Sequence, residues 1–196
     1  IENLLVPMVT DGKEPIGSMG NTARPALFSD QPRSFFDYFY QNFAQVTNPP
    51  LDYIREKNVT DLSMYLGKRP NIFAPKELLP QFPGYEIESP LLSLGQMKAL
   101  RSSNESPTRI KTAEFDMLFE RDHGEVGFRS AIRNITERAL KAVQEGATVL
   151  IVSDRNATFS HPPIPSLLML RSLVNALNNS GLRLNASIVV DTAEVK

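Results

Sequence analysis

The chain has 196 residues, an apolar fraction of 41% and a net charge of −1, which suits one globular domain with a substantial core. Its lysines and arginines are scattered, which excludes the basic surface of nucleic-acid-binding proteins and gives no attraction to anionic membranes. The absence of cysteine excludes disulfides, thiolate metal sites and a cysteine nucleophile, and no apolar run approaches the roughly 18 to 20 residues of a membrane helix.

The first half of the chain, residues 1–107, is predicted to be helical and irregular because it holds twelve of the 15 prolines. Its clearest element is an amphipathic helix over residues 32–46, in which aromatic side chains recur at helical spacing. These are Phe36, Phe39, Tyr40 and Phe43. The helix must end before Asn48, since a residue that precedes proline is displaced from the α region. We interpret the stripe as ordinary core rather than as a cofactor-binding surface.

Three further segments complete this proline-rich half. Short helices are predicted over residues 51–64 and 93–100. Between them, residues 67–90 are predicted to follow an irregular path over the surface, with a turn at Pro83 and Gly84.

The second half alternates strand and helix patterns. Strands are predicted over residues 108–115, 147–152 and 183–190, and helices over residues 128–145 and 165–180. The continuous apolar run at 147–152 is typical of a strand covered on both faces. Strands separated by helices indicate right-handed crossovers and a parallel α/β sheet. Three such strands cannot close a barrel, so they form part of a barrel completed elsewhere or an incomplete one.

The two predicted helices of this half each present an apolar face and stop at a glycine. The inward residues are Ile132, Ile135, Ala139 and Val143 in the first helix and Leu167, Leu170, Val174 and Leu177 in the second. Gly146 and Gly181 follow them, where a left-handed residue is favoured.

The organisation predicted from these patterns is one domain over residues 1–196, with parts at 1–107 and 108–196. The sequence begins at Ile1 without methionine and without a signal-peptide pattern, and it stops abruptly at Lys196. We therefore expect it to be a piece of a longer chain.

The residues offer two candidate sites for chemistry. Gly17 and Gly20 shape a loop that is neither a Walker loop nor a dinucleotide fingerprint, so we interpret it as a structural or interdomain loop. Ser153, Asp154 and Arg155 follow the carboxyl end of a buried parallel strand, where α/β folds bind ligands. The alternative is that Asp154 and Arg155 pair with loops or with a neighbouring domain.

The only two histidines, His123 and His161, have no second histidine or cysteine at ligand spacing. We therefore predict neither a metal site nor a catalytic residue in this sequence.

Several long blocks carry a resemblance to a known family. They include EPIGSMGN from residue 14, FAQVTNPP from residue 43, ESPLLS from residue 88 and EGATVLIVSDR from residue 145. In their residues and in their order along the chain, these blocks resemble the central domain of the glutamine-dependent glutamate synthases. One departure is that Asn21 is followed directly by Thr22, where the family commonly has an acidic residue.

The resemblance implies an α/β fold of incomplete TIM-barrel-like parallel βα repeats in the C-terminal half, with an N-terminal helical, proline-rich segment. It implies a non-catalytic scaffold that links a glutaminase domain to an FMN synthase domain and helps to form the ammonia tunnel between them. The parent reaction makes two glutamates from glutamine, 2-oxoglutarate and two electrons.

Cofactors and partners follow from the same resemblance. No cofactor is expected in this chain, whereas the parent enzyme carries FMN and an iron–sulfur cluster. The expected partners are the glutaminase and synthase domains of the parent chain and a small NADPH-oxidising subunit, with no nucleic acid and no membrane. The expected location is the cytoplasm, or the plastid for a plant-type ferredoxin enzyme.

The resemblance also nominates residues for interdomain or tunnel-lining contacts. They are Glu14, Gly17, Ser18, Met19, Gly20, Asn21, Thr22, Thr47, Asn48, Arg55, Asp154 and Arg155. The alternative function is a stand-alone module that binds FMN or another protein.

Overall fold

The computed structural model divides the chain into two compact units, Ile1–Gln45 and Val46–Lys196. The described residues are 2, 5–13, 15, 28, 30, 34–39, 50–71, 73, 75, 84–105 and 110–194. None of the described helices combines the length and the apolar character that crossing a lipid bilayer requires.

The first unit contains two short helices among its described residues. Helix α1 spans Leu5–Thr10, and a single 3-10 turn spans Phe35–Tyr38. The helix predicted over residues 32–46 is wrong at Phe39, whose backbone is extended with φ −113° and ψ 123°. The ring of Phe39 is exposed, so the aromatic spacing has no buried surface here to hold a helix together. Later residues of that prediction lie outside the described part of the chain.

Helix α2, over Tyr53–Val59, is the first described element of the second unit. The carboxylate of Asp52 accepts hydrogen bonds from the backbone N–H groups of Ile54 and Arg55, at 3.1 and 2.9 Å, and fixes the helix start. The helix predicted over residues 51–64 is therefore present but shorter, because the last residue of that range enters the first strand instead.

A two-stranded antiparallel hairpin follows, with β1 at Met64–Gly67 and β2 at Gly84–Ile87. The irregular path predicted over residues 67–90 is wrong where β2 lies, since a four-residue strand is too short to show a clear alternation. Gly84 is the paired residue nearest the loop, and a Cβ there would lie 1.7 Å from Cζ of Tyr65. Any larger residue at this position would therefore require the Tyr65 ring to move.

The second half of the unit forms the predicted parallel sheet. Strands β3 (Thr112–Asp116), β4 (Val149–Ser153) and β5 (Ser187–Asp191) lie in the order β3-β4-β5. The crossovers are helix α4 (Gly124–Gln144) and helix α5 (Ser166–Asn179). All five residues of β4 are buried, which confirms the interpretation of the apolar run. The structure is thus α/β with a parallel three-stranded sheet.

Helix α3, over Leu94–Arg101, precedes the sheet and confirms the short helix predicted at 93–100. It begins with a capping box, in which Ser93 Oγ accepts from the N–H of Gln96 and Gln96 Oε1 accepts from the N–H of Ser93, at 3.3 and 2.8 Å. This cap satisfies two backbone N–H groups at the start of α3.

Helices α4 and α5 cover one face of the sheet. The predicted face of α4 is confirmed, since Ile135, Ala139 and Val143 are buried against the sheet. The face of α5 differs from the prediction. It buries Met169, Leu173 and Leu177, whereas Leu167, Leu170 and Val174 are only half-buried. The inward face was predicted mainly from leucine positions. Met169 was not considered, although it fits the same helical period as Leu173 and Leu177.

The hairpin and α3 cover the opposite face of the sheet. A second apolar cluster joins them to strands β4 and β5. It consists of Leu66, Ile87, Met97, Leu100, Val149, Ile151 and Val189. The sheet is therefore covered on both faces, as an all-parallel sheet requires.

Three hydrogen bonds join the hairpin to the region of β5. Ser187 Oγ accepts from the N–H of Gly67 at 3.0 Å and donates to its carbonyl at 3.2 Å. The N–H of Arg69 donates to the carbonyl of Leu184 at 2.8 Å. These bonds hold the end of β1 beside the beginning of β5.

Candidate functional site

The carboxyl ends of the three parallel strands bring one charged residue, Asp191, to the centre of a polar cluster. The register pairs Asp116 with Ser153 and Ser153 with Asp191, so the strands end level with one another. Asp191 Oδ2 accepts from Arg101 Nη2 at 2.7 Å, from Ser153 Oγ at 3.1 Å and from Arg155 Nε at 3.1 Å. Asp191 Oδ1 accepts from Arg155 Nη2 at 3.1 Å. Both carboxylate oxygens are therefore occupied.

Arg101, the last residue of α3, binds two strands at once. Its Nε donates to both carboxylate oxygens of Glu114 at 3.0 Å, while Nη2 donates to Glu114 Oε1 and to Asp191 Oδ2, each at 2.7 Å. Glu114 lies in β3 and Asp191 in β5, so this guanidinium joins the two outer strands. Arg101, Glu114, Ser153, Arg155 and Asp191 are called the Asp191 network below.

The charges of the Asp191 network stabilise one another. The pKa of Asp191 is lowered to about 2. The hydrogen bond from Arg155 is the largest cause, Arg101 and Ser153 lower the pKa further, and partial burial acts in the opposite direction. Glu114 and then Asp191 raise the pKa of Arg101, and Asp191 raises the pKa of Arg155. All three groups are therefore ionised at neutral pH. A carboxylate with so low a pKa is a poor proton acceptor, which disfavours acid–base catalysis at Asp191.

The segment after β4 also ties the ends of its neighbouring strands. Asp154 Oδ2 accepts from Thr192 Oγ1 at 2.5 Å and from the N–H of Ala193 at 3.2 Å. On the other side, Asn156 Nδ2 donates to Asp116 Oδ1 at 3.0 Å. The polar groups that follow β4 are thus bonded to the ends of β3 and β5.

The structure places three of the nominated contact residues among those it describes. Asp154 and Arg155 come together at the carboxyl ends of the strands. Arg55 lies in α2, where its Nε donates to Asp52 Oδ2 at 2.5 Å. The other nominated residues lie outside the described part of the chain. They are Glu14, Gly17, Ser18, Met19, Gly20, Asn21, Thr22, Thr47 and Asn48.

Arg101, Glu114 and Asp191 were not predicted as site residues from the sequence. Arg101 lies outside the helix predicted at 93–100 and the strand predicted at 108–115, and its partners lie 13 and 90 positions away in the sequence. The available signal was the end of each predicted strand, because the carboxyl ends of parallel strands meet at one edge. That rule points to Asp191 as well as to Ser153, whereas nothing in the sequence points to an arginine from the preceding helix.

The two histidines line one polar cavity of about 320 Å³ between the β3–α4 and β4–α5 connections. His123 Nδ1 lies 3.0 Å from Glu120 Oε2. Among the residues that the structure describes, no three histidine, aspartate or glutamate side chains are grouped so as to hold a metal ion.

The two connections around this cavity are bonded through their backbones. The N–H of Phe119 donates to Pro162 at 3.1 Å, and the N–H of Ile164 donates to Met117 at 2.8 Å. The two connections are therefore held together by main-chain hydrogen bonds.

Comparison with known proteins agrees with the resemblance of the sequence blocks. The glutamate synthase central domain family matches residues 1–196. The ferredoxin-dependent glutamate synthase 2 of Synechocystis is 37% identical over 99% of this chain. The glutamate synthase [NADPH] large chains of Bacillus subtilis and Azospirillum brasilense are 36% and 38% identical over 100% and 99% of it.

The matched region is a small part of these relatives. This chain covers 12% of the length of each of the three. Within them, the alignment extends along practically all of this chain, so the α/β unit and the segments before it are matched together. The chain therefore belongs to the glutamate synthase central domain family.

Proposed function

We propose that this chain is the non-catalytic central scaffold of a longer glutamate synthase chain. It links a glutaminase domain to an FMN synthase domain and helps to enclose the tunnel that carries ammonia between them. The parent reaction converts glutamine and 2-oxoglutarate, with two electrons, into two glutamates. The family match along the whole chain supports this proposal.

The observation that carries the scaffold role is the pairing within the Asp191 network. In α/β folds, ligands bind beyond the carboxyl ends of the strands. Here Arg101 and Arg155, the groups at that edge that would attract a phosphate, are bonded to carboxylates of the same chain. Replacing these bonds with a ligand would leave Asp191, whose side chain is only 17% exposed, as an unpaired charge, and would remove the partner of Glu114. The arrangement favours structural support over ligand binding.

The fold supports the proposal that this domain is an incomplete barrel and that it has no cofactor site. Three parallel strands joined by α4 and α5 are the repeating unit of a TIM barrel, and we propose that they form an incomplete version of it. FMN and an iron–sulfur cluster then belong to the parent enzyme and not to this domain. The proposed location is the cytoplasm, or the plastid in a ferredoxin-type parent, with a small NADPH-oxidising subunit as a further partner.

We propose that the interdomain and tunnel contacts are made by the glycine loop, residues 14–22, and by residues 47–55. Asp154 and Arg155 are proposed contacts on the second unit. Arg155 suits this role because its guanidinium is bound to Asp191 yet its side chain is 55% exposed. Its position is thus fixed while part of its surface stays accessible to a neighbouring domain.

The scaffold role is tested by measuring ammonia that escapes from the full-length enzyme. Arg155→Glu places a negative charge beside Asp191 and should loosen the edge that we assign to domain contact. We expect glutamine hydrolysis to continue while more ammonia is released for each glutamate formed. Activity driven by added ammonium should be retained.

Arg129→Glu is the matched control for this test. Arg129 is an exposed arginine that pairs with Glu125 on α4, outside the Asp191 network. It should leave the ammonia-to-glutamate ratio unchanged. Equal release from both variants and the unmodified enzyme would remove the support for a scaffold role at this edge.

A further inference from the structure

The outer edge of β5 carries backbone groups that no described residue binds. The N–H of Ser187 donates to the carbonyl of Thr148 at 3.0 Å, so the backbone groups of Ser187 face β4. Successive residues of a strand direct these groups to opposite sides, so those of Ile188 and Val190 point away from β4. In the part of the chain that the structure describes, β5 pairs only with β4. The N–H and carbonyl groups of Ile188 and Val190 are therefore available to a further strand.

The opposite edge of the sheet, at β3, is partly closed by a side chain of the same unit. Asn104 Oδ1 accepts from the N–H of Thr112 at 2.8 Å, and Asn104 Nδ2 donates to the carbonyl of Thr112 at 3.0 Å. The amide group thereby takes the place of a neighbouring strand at the first residue of β3. Unpaired sheet edges attract further strands, and proteins normally block the edges that stay free. The contrast indicates that the sheet continues on the side of β5.

Helix α5 has a second apolar stripe beside the one that it buries. Leu167, Leu170 and Val174 recur at spacings of three and four residues and are half-buried. Of the described residues, those that form the apolar cluster beneath the helices and those that pack against it do not include these three. For a right-handed crossover, the winding of α5 turns this stripe away from α4 and toward the space beside β5. The open strand edge and the apolar stripe thus lie on the same side of the unit.

The segment that leaves β5 turns toward the helix-covered face of the sheet. Glu194 Oε2 accepts from the N–H of Ser166, the first residue of α5, at 2.6 Å. The N–H of Glu194 donates to Thr192 Oγ1 at 3.2 Å, which holds this turn in place. A right-handed crossover that leaves β5 needs such a turn, because its helix lies on the same face as α4 and α5.

We propose that the full-length chain continues after β5 with a further helix and strand, and that this strand lies parallel to β5 as the fourth strand of the sheet. The added helix packs on Leu167, Leu170 and Val174. The added strand binds the backbone groups of Ile188 and Val190. The existing strands begin at residues 112, 149 and 187, which are 37 and 38 positions apart. The added strand therefore begins roughly 37 residues after the start of β5.

A further unit of the same chain fits these features better than a second copy of this chain. Two copies related by a twofold axis would join their β5 edges antiparallel, which would break the parallel order of the sheet. A following helix and strand supply both the covering helix and the pairing strand, on the side toward which right-handed crossovers advance. The relatives of which this chain covers 12% contain ample further polypeptide for such a unit.

Residue-resolved hydrogen–deuterium exchange of the full-length protein tests whether the edge of β5 is bound. The amides of Ile188 and Val190 should exchange as slowly, within about tenfold, as the amide of Ile151 inside β4. Exchange at the rate of an unstructured peptide would show that the edge is open in the full-length protein, and the proposal would be wrong.

Val174→Lys in the full-length protein tests the packing of the added helix. A lysine in the covered stripe should release that helix and speed the exchange of the Ile188 and Val190 amides at least roughly tenfold. Asn175→Lys, on the exposed side of α5, is the matched control and should leave this exchange unchanged. The amide of Ile151 reports whether the rest of the sheet remains folded. Unchanged exchange with Val174→Lys, or equal loss of protection with both variants, would reject the packing of a helix on this stripe.

The structure of the full-length protein, determined by cryo-electron microscopy, identifies what binds the edge. The expected result is a parallel strand from the segment that directly follows β5. An antiparallel strand from a second copy, or a strand from a distant part of the chain, would overturn the proposal even where the edge is protected. None of these outcomes depends on the release of ammonia by Arg155→Glu, so this inference and the proposed function can fail separately.

Discussion

Asp191 shows how one carboxylate can fix the ends of several elements. It accepts hydrogen bonds from Arg101, Ser153 and Arg155, which come from α3, the end of β4 and the loop after it. These bonds favour the ionised form, so its pKa falls from 3.8 to about 2 on folding. A lowered carboxyl pKa stabilises the folded chain above the unfolded value of 3.8, and that contribution is lost as the pH falls through about 2.

Asp191→Asn is expected to lower the free energy of unfolding at pH 7 by about 1 to 2 kcal/mol, after allowance for the solvent around Arg155. Urea unfolding at a series of pH values measures this loss. The difference from the unmodified chain should shrink as the pH falls from 3.8 toward 2, because Asp191 itself then takes up a proton. Asp122→Asn, at an exposed carboxylate, is the control. A loss that is constant over this pH range would exclude the charge as its cause.

The hairpin shows how a short element depends on one close contact. Strands β1 and β2 have four residues each, and an isolated hairpin of this size is unstable in water. It persists through the bonds of Gly67 to Ser187 and through the cluster that contains Leu66 and Ile87. The Tyr65 ring adds a close contact with Gly84 on the partner strand.

Gly84→Ala is expected to destabilise the hairpin by roughly 1 to 2 kcal/mol, since the new methyl group would displace the Tyr65 ring. Faster hydrogen exchange in β1 and β2, together with urea unfolding, measures the effect. Gly95→Ala in α3 is the matched control. Its Cβ would meet only Ser93 Oγ at 3.9 Å, so this change should be neutral or stabilising. Equal effects of the two changes would show that the ring does not need glycine beneath it.

The elements that the sequence predicted well are those with long periodic patterns. Helix α4 and strand β4 carry their period or apolar run within one segment, and neither needs a distant partner to be recognised. The hairpin escaped prediction because β1 and β2 are short and far apart in the sequence. Asp154 and Arg155 could be placed at the edge of the sheet by rule, whereas the contribution of Arg101 depends on how α3 packs, which no local spacing encodes.

The chain belongs to the glutamate synthase central domain family, and the polar side chains at the carboxyl ends of its parallel strands are bonded to one another. The parallel sheet is of the kind that binds flavins in many enzymes, but its polar edge is held together by ion pairs of Arg101 and Arg155 with carboxylates. This combination leads us to expect structural support of neighbouring domains and no cofactor of its own.

Flavin titration of this chain tests that expectation. With FMN added up to roughly 100 μM, the absorbance and fluorescence spectra of FMN should be the same with and without this chain. A dissociation constant above that concentration would be much weaker than the affinity of a protein for its resident cofactor. A flavodoxin-type protein under the same conditions is the positive control. Saturable quenching with one FMN per chain would contradict the proposal and favour an FMN-binding module.

The span of Arg101 from β3 to β5 has a mechanical consequence. With Asp191 also bound to Arg155, and Asn156 bound to Asp116, the ends of all three strands are cross-linked transversely. A force applied to one of the loops that leave this edge would therefore be passed to the neighbouring strands through these side chains, and not carried by a single strand.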